Sequence, residues 1–146
     1  MKRILFLTGI LAMLLPVRIY PAETARYILA VGANNGGGKR ETLKFAVSDA
    51  QAFSKIMVQL GGVVSERTTV LIDPKIDQFS FEFSRLEKLL AAESKKNIRT
   101  EIIFYYSGHS DEEGLLLGSR TFPYTDLRDR IRALPADVKI AILDSC

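Results

Sequence analysis

The sequence predicts an α/β domain organised on a mostly parallel sheet flanked by helices. Four apolar runs rich in β-branched residues, at Arg26–Ala33, Thr68–Ile72, Glu101–Tyr106 and Val138–Leu143, alternate with segments whose apolar residues recur at helical spacing. That alternation implies parallel strands joined by right-handed crossovers. Near-continuous apolar runs are also what parallel strands show when helices cover both faces. The last two runs lead to the single histidine of the chain, His109, and its single cysteine, Cys146. Ligands of such sheets sit beyond the carboxyl ends of the strands. If these two strands are neighbours, an imidazole and a thiol meet on one rim, the arrangement a thiol nucleophile and its base require.

Bulk properties narrow the class. A chain of 146 residues is one domain or less. Its 47% hydrophobic and 25% charged residues are ordinary for a globular protein. The net charge is +3, and no basic stripe with interleaved aromatics is present, which argues against nucleic acid. One cysteine forbids an internal disulfide, and one cysteine with one histidine argues against a zinc site. No cofactor is expected from the sequence, which does not indicate calcium activation but leaves it open.

In chain order, Lys2-Arg3 followed by a short apolar run to Leu15 has the layout of a secretory signal. A membrane-spanning helix needs roughly 20 apolar residues, more than this run supplies. Residues 1–23 are therefore expected to be a signal peptide and 24–146 the domain, in a secreted or periplasmic setting, with an uncleaved membrane anchor as the alternative. Arg26–Ala33 is the first strand. Asn34–Arg40 is rich in glycine but fails the phosphate-loop pattern, because Ala33 stands at the first glycine and Arg40 follows Lys39. It is expected to be a flexible surface loop. Thr42–Leu60 is helical, with Ala46, Ala50, Phe53, Met57 and Leu60 on one stripe. Gly61-Gly62 ends it. Asp49, in its first turns, is by itself an acid favourable to the helix dipole.

Thr68–Ile72 is the second strand, and Asp77 is the expected N-cap of a helix burying Phe79, Phe83, Leu86 and Leu90. Glu101–Tyr106 is the third strand and runs into Ser107-Gly108-His109-Ser110. Gly114–Gly118 and Arg120–Tyr124 form a hairpin. Thr125 is expected to cap a helix carrying Leu127, Ile131 and Leu134. Val138–Leu143 is the fourth strand. Taken alone, a lone histidine is usually a surface or core residue, a lone cysteine a small buried hydrophobe, and Asp144 a strand-end turn residue.

Tyr105-Tyr106-Ser107-Gly108-His109 resembles the histidine motif of the caspase and metacaspase clan. Ile142–Cys146 resembles the Asp-x-Cys motif of the metacaspase branch, and Leu43–Ala50 is similar to the segment that opens that family's first helix. The three occur in the family's order across Arg26 to Cys146. The resemblance implies a caspase-like three-layer sandwich and an endopeptidase acting on protein or peptide substrates. Cys146 would be the nucleophile and His109 the acid and base. Backbone N–H groups of Cys146 and Ser110 would hold the oxyanion. Glycine stands in the family where Ser110 stands here, and serine serves only if the backbone there avoids a positive φ. In the metacaspase branch the acids matching Asp49 and Asp144 line the primary pocket, which implies cleavage after Arg or Lys.

The family continues past the cysteine with further strands. The expectation is therefore a sheet whose carboxyl-terminal strands are missing, with an apolar edge left exposed. A second copy or the missing carboxyl-terminal segment would be the partner, and the lone thiol is open to intermolecular pairing. The competing function is a truncated or non-catalytic caspase-like interaction module. A nucleotide-binding domain fails on the glycine loop.

Overall fold

A computed structural model of the chain describes residues 23–38, 40–96 and 98–145. The expected signal segment lies outside the described residues except for its last position, and so does Cys146. The elements are β1 (Thr24–Ala33), α1 (Ala46–Gln59), β2 (Thr68–Ile72), α2 (Ile76–Ser94), β3 (Arg99–Gly108), β4 (Gly114–Leu117), β5 (Arg120–Pro123), α3 (Tyr124–Ala133) and β6 (Val138–Ser145). A short 3-10 turn, Ser65–Arg67, precedes β2.

The main sheet has the order β2-β1-β3-β6, and every pairing in it is parallel. β4 and β5 form a separate antiparallel hairpin. Successive residues of a strand face opposite sides, so the sheet has two cores. On one side Ile28, Ala30, Ile103 and Tyr105 pack with Ala50, Phe53 and Met57 of α1. On the other, Leu29, Val31, Ile102, Phe104 and Tyr106 pack with α2, α3 and the hairpin. Phe79 centres that second core, edge-on to Phe83 at 5.2 Å, Phe122 at 4.8 Å and Phe104 at 5.9 Å. Such pairs contribute about 0.5–1.5 kcal/mol each beyond burial. The result is the α/β fold expected, a parallel sheet between helical layers.

Several local expectations are corrected. α1 starts at Ala46, because Leu43 is still occupied in the loop, its N–H donating to Asn34 O at 2.9 Å. Leu60 closes the helix and is 85% exposed, while Ser54 is buried on the stripe. Lys75, not Asp77, is the N-cap of α2, with its N–H on Gln78 Oε1 at 2.9 Å. Asp77 instead pairs with Arg120 at 3.3 Å on the surface. Pro123, not Thr125, is the N-cap of α3. β6 is apolar, yet it lies at the sheet edge, where Ile140, Ile142 and Leu143 are exposed. Among the described residues no helix is long and apolar enough to cross a membrane.

Candidate active site

β1 and β3 run side by side to their carboxyl ends, where Ala33 pairs with Gly108. A Cβ on Gly108 would come within 2.9 Å of Ala33 O and 2.6 Å of the Tyr106 hydroxyl, so glycine is required for this close approach. His109 follows at once, half-buried on the rim. Two backbone hydrogen bonds tie the segment after it to the hairpin: Leu116 N–H to His109 O and Asp111 N–H to Gly114 O, both 3.0 Å. The Tyr106 hydroxyl, fully buried, lies 2.6 Å from His109 O and 3.1 Å from Leu116 O and shares its proton between them. Burial holds that phenol well above its ordinary pKa, so it remains a donor.

The imidazole is oriented by the loop after β1. His109 Nε2 lies 2.8 Å from Glu41 O. A carbonyl only accepts, so Nε2 carries a proton, and in the neutral ring Nδ1 is then the nitrogen with the lone pair. Gly36 lies flat against the ring: a Cβ there would meet Cδ2 at 2.5 Å and Cγ at 2.7 Å. The loop is pinned rather than the flexible surface loop expected. Asn34 Oδ1 accepts from Val47 N–H at 3.1 Å, Asn35 N–H donates to Asp73 Oδ1 at 3.0 Å, and Asn35 O accepts from Gly118 N–H at 3.2 Å. The sequence offered one signal for this role, the glycine run itself. The Glu41 carbonyl offered none, since any residue supplies one.

Ser110 forms a bridge with Leu115. The ladder bonds on either side of the bridge leave the N–H of Ser110 itself directed away from the hairpin. Among described non-glycine residues only Asp73 has a positive φ, so Ser110 sits in ordinary backbone and its serine side chain is no obstacle.

β3 and β6 are in register from Glu101 with Val138 to Gly108 with Ser145. Cys146 is the next residue after Ser145, as His109 is the next after Gly108. Asp144 is exposed at the end of β6, beside Ser107. Its Oδ2 accepts from the Tyr105 hydroxyl at 3.1 Å. Burial, then the Asp144 hydrogen bond and charge, raise the pKa of Tyr105, and Asp49 adds to the rise from the first turn of α1. Asp49 and Asp144, far apart in sequence, are thus both felt at one tyrosine. Among the described residues neither carboxylate has an ion-pair partner. Among the same residues no group of three or more His, Cys, Asp or Glu is placed to hold a metal ion.

A helix-covered parallel sheet with a histidine clamped at its carboxyl rim defines a three-layer α/β domain of caspase-like architecture. The chain belongs to the caspase-domain family, whose model matches residues 25–146, from β1 to the cysteine. That family is one of cysteine peptidases, which assigns the domain protein or peptide substrates. No curated protein matches the chain.

Proposed function

We propose that this chain is a metacaspase-type cysteine endopeptidase that cleaves after Arg or Lys, using Cys146 and His109. The observation that supports this most is the register of β3 and β6, in which the residues preceding His109 and Cys146 are paired neighbours. Paired strands lie about 4.8 Å apart, so the backbones that deliver the two residues start from adjacent positions. His109 Nδ1 takes the thiol proton of Cys146, and the thiolate attacks the peptide carbonyl. The N–H groups of Ser110 and Cys146 receive the oxyanion. The C–N bond breaks as the imidazolium returns the proton to the leaving amine. Water then attacks the thioester with His109 as base, releasing the acid and the free thiol. Throughout, the Glu41 carbonyl holds Nε2–H and so keeps Nδ1 as the reacting nitrogen.

Asp49 and Asp144 would oppose the guanidinium or ammonium of the substrate. Asp144 accepts from the Tyr105 hydroxyl, the Asp49 charge also bears on that tyrosine, and among the described residues neither acid has an ion-pair partner, which suits a basic side chain. We further place residues 1–23 as a secretory signal and the domain outside the cytosol. The competing function, a non-catalytic interaction module, draws on the exposed apolar run of β6. Alkylation of Cys146 separates the two. The peptidase account expects rapid iodoacetamide labelling near neutral pH that slows at least about tenfold in His109→Ala, because an activated thiolate needs its partner. Equal rates in both proteins would favour the module.

A further inference from the structure

If Asp144 faces a basic substrate, something must hold it there. It lies at the exposed end of the edge strand and has no ion pair among the described residues. Its one side-chain hydrogen bond among those residues is from Tyr105, at 3.1 Å. Tyr105 is only 7% exposed, and its ring stacks on Phe53 of α1 at 4.3 Å and 8°. We propose that Tyr105 is a specificity-determining positioning residue, whose hydroxyl orients the Asp144 carboxylate for a guanidinium. The proposal rests on the basic pocket described above and adds a residue to it.

The choice of a tyrosine has a physical reason. A cationic partner would orient Asp144 but also neutralise it. A phenol donates one hydrogen bond and brings no charge, and a carboxylate has about four acceptor sites, so most of its capacity stays available. Burial and the two nearby acids raise the phenol's pKa, so it stays protonated at neutral pH. Orientation matters unequally for the two basic side chains. Arginine presents a rigid planar fork that pairs with a carboxylate through two parallel bonds, whereas lysine is a rotatable point charge. Loss of the hydroxyl should therefore cost arginine binding more than lysine binding. A general loosening of the fold would not discriminate between them.

Calorimetric titration of the full chain with three peptides identical but for a terminal arginine, lysine or citrulline amide tests this. In Tyr105→Phe, which keeps the ring and its stack, the arginine peptide is expected to bind about three- to tenfold more weakly, from one lost hydrogen bond. The lysine peptide should change less than about twofold. Both changes should vanish when Tyr105→Phe is made in an Asp144→Asn background. Equal losses for arginine and lysine, no loss, or a loss that persists without the Asp144 carboxylate would overturn the proposal. A native chain that does not prefer arginine over citrulline, or an Asp144→Asn chain that keeps the full preference, would instead overturn the pocket itself. Should Tyr105→Phe not fold, Phe53→Leu loosens the ring while keeping the hydroxyl, and the arginine-to-lysine ratio should fall in the same direction. An unchanged ratio there counts against Tyr105.

Discussion

β3 and β6 lie side by side, parallel and in register, yet they live in different environments. From Ile102 to Gly108 every residue of β3 is buried, whereas from Lys139 to Asp144 every residue of β6 is exposed. Both carry an apolar run, Ile102–Tyr106 in β3 and Ile140–Leu143 in β6. β3 is covered on both faces and has a neighbour on each side, and β6 has one neighbour and an open edge. The contrast extends to what each strand carries. His109 is fixed through its backbone by Tyr106 and Leu116, and through its ring by Glu41 and Gly36. Asp144 hangs on one tyrosine hydroxyl. A strand's pattern therefore sets its conformation, while its place in the sheet sets its burial and how firmly it positions chemistry.

Substitutions should reproduce that asymmetry. Phe104→Ala, in the centre of β3, is expected to destabilise the fold by about 3–5 kcal/mol in a denaturant titration, through a cavity under Phe79 and Phe83. Gly36→Val should leave stability nearly intact in the same titration yet slow peptide cleavage about 10²-fold, because its side chain displaces the imidazole. Tyr106→Phe removes the proton shared by two carbonyls and should cost about 1 kcal/mol. Ile140→Ser, on β6, should change stability by less than about 1 kcal/mol, because the side chain is already exposed. An Ile140→Ser cost equal to that of Phe104→Ala would contradict the different environments of the two strands.

Acid should act at the opposite end of the sheet. Asp137 accepts from Thr100 N–H at 2.7 Å where β3 and β6 begin, and this bond lowers its pKa. Burial opposes the charge on Glu93, but Lys96, Tyr27 and Arg67 outweigh it and lower that pKa too. Both folded values lie below the unfolded ones. The stability they contribute is complete above the unfolded carboxylate pKa of about 4 and is lost as pH falls through the folded values. Thermal unfolding between pH 5 and pH 2, taken as rough limits, should show that loss, and Asp137→Asn should reduce its slope.

Much of this architecture is legible in the sequence because periodicity reports local structure directly. The four sheet strands and three helices occur where continuous apolar runs and helical spacings place them, and the hairpin lies where expected. Capping was less legible. Asp77 and Thr125 have favourable side chains, but the hairpin and the β2–α2 turn start the helices two residues earlier, at Lys75 and Pro123. His109 stands out as the single histidine after a buried strand, and Asp49 and Asp144 are candidates only through the motif resemblance. The contacts that orient His109 were not legible, since one is a main-chain carbonyl at Glu41 and another the missing side chain of Gly36. Nor could sequence spacing reveal that the Tyr105 hydroxyl donates to Asp144 while its ring stacks on Phe53 of α1.

We propose a Cys146–His109 peptidase selective for basic residues. Its most direct test is fluorophore release from matched peptides ending in Arg, Lys or Asp, with Cys146→Ala and His109→Ala as controls. The account predicts release after Arg and Lys, little after Asp, and loss of turnover in both controls. Faster cleavage after Asp would contradict the specificity, and turnover that survives Cys146→Ala would contradict the mechanism.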